Sequence, residues 1–135
     1  MAERTARRRR GVGAYLLLLI RIAVGAAAIA IGVRHATAHD VLVADLERWN
    51  LPAPDILSWV ATGVELVAGL LVLLGLATRL GALLLAITML VALATGGRSD
   101  TGSLLAVSAG MAAASLLLAI LGGGAAQLLD RLDPR

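Results

Sequence analysis

Arg21 stands inside an apolar run from Gly11 to Val33, and Glu65 inside a second run from Ile56 to Thr78. A lone charge near the centre of a bilayer costs several kcal/mol, so such a residue is usually paired, turned into a bundle and tied to a task. Two readings follow. In the first, Arg21 and Glu65 form a buried ion pair that fixes helix register, with a net contribution to stability near zero. In the second, they form a polar site that receives a proton or a ligand headgroup such as a quinone carbonyl. Measured from Arg10 and Arg79 as markers of one membrane face, Arg21 lies about 16 Å up the first helix and Glu65 about 21 Å up the second, at 1.5 Å per residue. The depths agree within a turn, although side chains lean toward their own helix N-terminus and the two would lean apart.

The other candidates are weaker. His35 and His39 share a helix face at i, i+4 spacing and, with Asp40, could begin a metal site. No third or fourth ligand is fixed, so no metal is expected, and two histidines near a membrane surface are the plainer reading. Two histidines four apart on one helix cannot sandwich a haem. Arg79 reads as a topology anchor. Cysteine is absent, which removes disulfides, thiolate catalysis and iron–sulfur clusters. No nucleophile–base triad, phosphate loop or glycosidase carboxylate pair is legible.

The elements that must position these residues are membrane spans. The chain is 59% hydrophobic, against about 45–50% apolar in soluble domains, and the surplus lies in long uninterrupted stretches. The first span runs from 12 to 33. A cleaved signal peptide is its rival, because a basic segment precedes it and Ala36-Thr37-Ala38 has the form of a cleavage site. The apolar stretch is longer than a typical signal core of about 7–15 residues and holds Arg21, which favours a retained helix. The match to a twin-arginine signal is weak. Residues 34 to 55 are polar and end at Pro52 and Pro54, and a short amphipathic surface segment from Asp40 to Trp49 fits there. The run from Ile56 to Gly97 would be about 63 Å long as one helix, twice the roughly 30 Å hydrocarbon core. It must fold back, and Thr78-Arg79 between Gly75 and Gly81 is the expected turn. This gives spans at 56–77 and 80–96. A polar turn from Gly96 to Gly102 precedes a fourth span at 103–121, and Gly122-Gly123-Gly124 opens a polar tail over 122–135.

The expected fold is therefore an all-α integral membrane four-helix bundle, up-down-up-down, within 12–121. Four spans put both termini on one side. That side carries Arg4, Arg7 to Arg10, Arg79, Arg131 and Arg135, against Arg34, Arg48 and Arg98 on the other. The positive-inside rule then places both termini in the cytoplasm, with Tyr15 at the inner interface and Trp49 and Trp59 at the outer one. The basic N-terminus over 1–11 adjoins a hydrophobic run without interleaved aromatics. It reads as a segment that meets anionic lipid headgroups, not nucleic acid.

Small residues mark the packing faces, because lipid tails are as apolar as leucine and helices associate through close contact and hydrogen bonds. The stripes are Arg21, Gly25, Ala28, Gly32, His35 and His39 in the first span, and Ser58, Thr62, Glu65 and Gly69 in the second. Gly81, Thr88, Ala92 and Thr95 make the third, and Ala106, Gly110 and Ala114 the fourth. All four are expected to meet in the bundle centre.

These residues carry a family resemblance. Leu19-Ile20-Arg21-Ile22-Ala23-Val24-Gly25 resembles the LxRIxxG opening of DoxX-like membrane proteins. Leu51-Pro52-Ala53-Pro54, then Val64-Glu65-Leu66-Val67-Ala68-Gly69-Leu70, then Leu74-Gly75-Leu76-Ala77-Thr78-Arg79-Leu80-Gly81-Ala82 resemble that family's GLP, VELxGG and LGLxTRxAA signatures in order and spacing. The likeness covers roughly Leu16 to Leu132. The chain departs from it where the family often has His-Gly followed by a lysine: Ile31 precedes Gly32, and His35 stands near the lysine position. The resemblance implies a four-helix, multi-pass plasma-membrane protein. Such relatives include the membrane part of a thiosulfate:quinone oxidoreductase, proteins linked to redox-stress complexes, and proteins of uncharacterised function.

The leading expectation is a membrane subunit or docking partner of a quinone-linked redox complex, not an enzyme on its own. No residue can hold an electron, so a redox step needs a bound quinone or a partner's cofactor, and no covalent cofactor is expected. A protein partner or homo-oligomer and membrane lipid are the expected partners. The alternatives are a small-solute or proton transport element, with an intramembrane acid as its coupling group, and a pure assembly scaffold.

Overall fold

A computed structural model describes residues 2–96 and 102–122, with side chains described from Val12 onward and not at Leu104. The basic side chains of the N-terminal segment, the turn around Arg98 and the tail with Arg131 and Arg135 lie outside the described residues. The described residues form five helices joined by short turns, without strands: α1 (Ala2–Thr37), α2 (His39–Arg48), α3 (Pro54–Leu74), α4 (Thr78–Thr95) and α5 (Ser103–Leu121). Three segments, Val12–Thr37, Pro54–Leu74 and Thr78–Thr95, are long and apolar enough to cross a membrane, and Leu105–Leu121 is a shorter apolar helix.

Each junction has a local cause. At the end of α1 the Thr37 hydroxyl donates to the carbonyls of Val33 and Arg34, both at 3.0 Å. The backbone then leaves helical geometry at Ala38 alone (φ −120°, ψ 48°) before α2 begins. The expected surface segment is thus a helix of ten residues, and Leu42 and Leu46, one turn apart, are its buried side. Pro54 starts α3 at its first turn, where a missing N–H costs nothing. The reversal between α3 and α4 falls one step earlier than the sequence suggests. Gly75 takes φ 76° and Ala77 φ 47°, so the turn is Gly75–Ala77, while Thr78 and Arg79 open α4. Only glycine enters the left-handed region without penalty, and that places the turn at Gly75, not at Thr78-Arg79.

α1 and α3 are antiparallel and nearly in backbone contact. A Cβ on Gly25 would lie 2.7 Å from the Leu73 amide nitrogen and 2.9 Å from the Gly69 carbonyl oxygen. One on Gly32 would meet Leu66 and the Glu65 Cβ, and one on Gly69 would meet Ala28 and Ile29. α3 packs on α4, where Gly81 faces Ala68 and Val72. α4 packs on α5, and α5 returns lightly to α1. The shared core is Val24, Ala28, Ala68, Val72, Ala82, Leu85, Met89, Met111, Ala112 and Leu118. Large apolar side chains such as Leu19, Ile22, Val67, Leu83, Ile87 and Ile120 point outward, the arrangement of a bundle solvated by lipid.

The expected stripes hold in α1 and α3. Arg21, Gly25, Ala28 and Gly32 are buried and His35 is half-buried, as are Ser58, Thr62, Glu65 and Gly69. His39 belongs to α2 instead of α1. In α4 the buried row is Thr78, Gly81, Ala82, Leu85, Ala86 and Met89, so the face is rotated from Thr88, Ala92 and Thr95, which are only half-buried. In α5 the expectation fails for Ala106 and Gly110, which are exposed, while Ala114 is half-buried against the core and Ser108, Met111, Ala112, Ser115 and Leu118 are inside. Small residues surround α5 on every side, so their spacing does not single out a face.

The α1–α3 seam yields a stability prediction. Gly25→Ala forces two backbones apart and is expected to lower stability by about 1–3 kcal/mol in denaturant titration of the protein in mixed micelles. Gly63→Ala, where a Cβ meets nothing within 4 Å, is expected to be neutral or stabilising by up to about 1 kcal/mol. Equal effects at both positions would count against the seam.

Candidate functional site

The buried carboxylate has a partner, and it is not Arg21. His35 Nδ1 donates to Glu65 Oε2 at 2.7 Å. Glu65 is 2% exposed, while the His35 side chain keeps 28% of its surface. The donation from Nδ1 leaves Nε2 as the ring atom available to another group.

The register explains the pairing. Gly32 lies against Glu65, and Gly25 against Gly69 and Leu73. His35 is the next turn of α1 above Gly32 on the same face. Arg21 is 11 residues below Gly32, about 16 Å along the axis, level with the turn between α3 and α4. The shared depth expected for Arg21 and Glu65 is therefore corrected to a separation of about three turns. The expectation failed because Arg10 and Arg79 are not level with each other. Arg21 is 5% exposed and is itself engaged, but it does not contribute to the Glu65 site. Arg79 lies exposed in the first turn of α4, at the end of the bundle where α1 starts.

His39 enters a second cluster one step nearer the α2 end of the bundle. Its ring stacks on Trp59 with centroids 4.3 Å apart, and its Nε2 donates to Asp55 Oδ1 at 3.1 Å. Ser58 Oγ is 3.3 Å from Nδ1 and 3.4 Å from Nε2 of the same ring. Serine, histidine and aspartate thus come together although the sequence showed no triad. They do not form a working one. Ser58 Oγ lies slightly nearer Nδ1 than Nε2, but the proton of its hydroxyl is committed elsewhere. The Ser58 hydroxyl donates to the Asp55 carbonyl at 2.7 Å and the residue is fully buried, so no substrate carbonyl reaches it.

Ser58, Thr62 and Glu65 follow one another up the buried face of α3. Among the described residues the buried Thr62 hydroxyl has no hydrogen-bond partner. Nor is there any group of three or more histidine, aspartate or glutamate side chains placed to hold a metal. His35 and His39 face different carboxylates, since the helix break at Ala38 ends their common face. Trp49 lies against Gly96, where a Cβ would come within 2.5 Å of its ring. This ties the end of α2 to the end of α4.

Sequence reasoning found Glu65 and named His35 without joining them. It missed Asp55 and assigned Ser58 and Thr62 to packing alone. The signal that would have found the pair is the glycine spacing: matching Gly25 and Gly32 of α1 to Gly69 and Glu65 of α3 brings His35 to Glu65. The pairing is open to a double-mutant cycle. His35→Ala with Glu65→Gln is expected to show a coupling of about 1.5–3 kcal/mol, the range for a hydrogen bond to a charged group. The Arg21→Gln and Glu65→Gln cycle is expected near zero, as for distant sites. Coupling to Arg21 instead of His35 would reverse the assignment.

No curated protein and no solved structure matches the chain. The sequence model of the DoxX family matches residues 16–98, more than half of the chain. The match contains α2, α3, α4, most of the apolar part of α1, and every residue of the His35–Glu65 and His39–Asp55 clusters. It stops short of α5, so the likeness read from the sequence out to Leu132 is matched only as far as residue 98. The chain is a helical membrane protein that belongs to the DoxX family.

Proposed function

We propose that this protein is a membrane subunit or docking partner of a quinone-linked redox complex, and that Glu65 with His35 binds the headgroup of the quinone. One observation carries the reading: an almost fully buried carboxylate in an apolar helix, hydrogen-bonded at 2.7 Å to a histidine that is still partly exposed. Such a pair is costly to keep in lipid and is a site by default.

The donor set fits a quinone. With Glu65 ionised and His35 protonated, Nε2–H is a donor for a carbonyl oxygen. With His35 neutral, Nε2 is an acceptor for a quinol hydroxyl. The carboxylate orients the ring in both forms and balances the charge of the first. A quinone supplies the electron-accepting chemistry that no side chain here provides. The residues of the chain hold the headgroup and pass protons, and the electrons come from the partner's cofactor. Trp59, half exposed beside His39, offers an aromatic surface at the same level.

The proposal includes the topology: α1, α3, α4 and α5 as four spans in the plasma membrane, with the N-terminus in the cytoplasm. The antiparallel packing of α1 on α3 supports it, because Arg79 and the start of α1 then share one end and α2 with both tryptophans the other. At 19 residues, α5 is about 28 Å long, close to the hydrocarbon thickness.

Quenching of tryptophan fluorescence by a short-chain quinone tests the site in purified protein. Wild type is expected to bind saturably, and Glu65→Gln and His35→Ala to weaken binding roughly tenfold or more, as loss of a charged hydrogen bond implies. Arg21→Gln is expected to bind as wild type does. Equal quenching in all four, or none in any, would remove the quinone from the proposal.

A further inference from the structure

We propose that α2 is a hinged lid on the Glu65 site, and that swinging it away from α3 is the step that admits the ligand. The inference rests on the reading of Glu65 as a ligand site, but not on that ligand being a quinone.

What α2 covers is a row of buried polar side chains on α3. Ser58, Thr62 and Glu65 follow at i, i+4 and i+7 on one helix face, and all three are buried. Neighbours at this spacing have Cβ atoms about 5–6 Å apart. The His39 ring of α2 closes the outer end of the row: it lies 3.3 Å from Ser58 Oγ, and Ser58 has no exposed surface. One turn deeper, the Thr62 hydroxyl has no hydrogen-bond partner among the described residues. A helical threonine commonly bonds back to a carbonyl of the preceding turn, as Thr37, Thr88 and Thr95 do here. Thr62 does not. A buried polar atom left unpaired needs an explanation, and a hydrogen bond reserved for a ligand supplies one. Thr78 and Ser115 share that lack, but they belong to α4 and α5 and not to the row of Glu65. His35 shows one edge to solvent, while Thr62 and Glu65 behind it are closed. The seam with α1 is shut where Gly32 meets Leu66 and Glu65, which leaves the α2 end as the way in.

The attachment of α2 is that of a movable part. Of its ten residues only Leu42 and Leu46 are buried, and the shared core of the bundle includes none of them. It is pinned at its two ends. His39, its first residue, is bonded to the largely exposed Asp55 and stacked on Trp59. Trp49, its C-cap, packs on Gly96, and its indole N–H is buried without an acceptor among the described residues. The links bend at single residues. Ala38 alone leaves helical geometry before α2. After it, Asn50 and Ala53 hold φ 55° and 49°, a region that residues with a Cβ enter at a cost. A few residues at element ends that absorb backbone change are what a hinge requires. Opening does not assemble a triad, because Asp55 and Ser58 stay on α3 while His39 leaves with α2.

The test uses the absence of cysteine from the chain. Ser58→Cys places a thiol under the lid, and Ser115→Cys, equally buried, places one in the bundle core. In mixed micelles with a water-soluble maleimide, the first is expected to react through local opening and the second only through global unfolding. Trp49→Ala removes the pin about 15 Å along α2 from His39. If α2 moves as a unit, this speeds labelling of Ser58→Cys roughly tenfold or more and leaves Ser115→Cys unchanged. Gly96→Ala, whose Cβ would meet the Trp49 ring at 2.5 Å, is expected to act in the same direction. The ligand is tested with Trp49→Cys and Gly96→Cys joined by a short reducible thiol cross-linker. Quenching of Trp59 by the short-chain quinone is expected to show binding weakened roughly tenfold or more and restored on reduction. Thr62→Val is expected to weaken binding, and Thr62→Ser to keep it.

Ser58→Cys labelled no faster than Ser115→Cys overturns the lid. So does labelling that neither Trp49→Ala nor Gly96→Ala speeds. Unchanged quinone binding in the cross-linked protein overturns entry beneath α2, and unchanged binding in Thr62→Val removes Thr62 from the ligand's partners. Labelling as expected in a protein that binds no quinone would sink the quinone and leave the lid standing. Quinone binding with Ser58→Cys unlabelled would do the reverse.

Discussion

The contact of α1 with α3 through glycine is the constraint on which the rest depends. Without side chains at Gly25, Gly32 and Gly69, the two helices come together until backbone meets side chain and backbone. A contact that close permits one register, because sliding by a turn would bring Leu66 or Leu73 onto residues with side chains of their own. In lipid there is little hydrophobic force to hold two helices together, so close packing must supply what burial supplies in water. The register then decides which α1 side chain stands beside Glu65. Electrostatics alone would choose arginine, the stronger permanent charge. The seam puts Arg21 about three turns away and leaves the place to His35.

That choice changes the chemistry. An arginine beside the carboxylate would make a permanent ion pair, fixed in charge at every pH a cell meets. Histidine makes a pair that can lose or gain a proton, and its ring gives it a second nitrogen to offer. The carboxylate is too deeply buried to stand alone, since removing one member of a buried pair leaves an unpaired charge. Yet the pair is not sealed, because His35 sits where α1 ends. A buried acid joined to a partly exposed base suits a group that works on a ligand or a proton better than one that only holds helices together.

Three long apolar helices and the inward faces of α1 and α3 were legible in the sequence, the faces because those helices combine small, polar and large apolar residues in separate stripes. A stripe is informative only when the remainder of the helix differs from it. α5 carries alanine, serine and leucine on all sides, so the spacing of Ala106, Gly110 and Ala114 did not single out a face, and Ser108, Met111 and Ser115 turned inward. The Arg21–Glu65 expectation failed for another reason. It measured depth from charged residues taken as membrane boundaries, whereas α1 runs on well past the level of Arg79. The glycines were the better ruler, since each records a contact, not a solvent preference. The His39 cluster was hidden because it depends on the one-residue break at Ala38. Continued as helix, His39 would have stayed on the face of His35, away from Asp55.

The bundle is thus strongly polar at two levels, with a mostly apolar layer between them. At one end the buried Arg21 lies level with the turn between α3 and α4. At the other, Glu65, His35, His39 and Asp55 gather beneath α2. Ala28, Ala68, Val72, Ala82 and Leu85 lie in the interval, joined from α5 by the buried Ser115, which stands between the core residues Ala112 and Leu118. The close packing that fixes the register would serve a scaffold as well as a site. A scaffold has no need of an ionisable pair at one end, and the placement of both histidines there, each with a carboxylate partner, is what sets this bundle apart from a structural one.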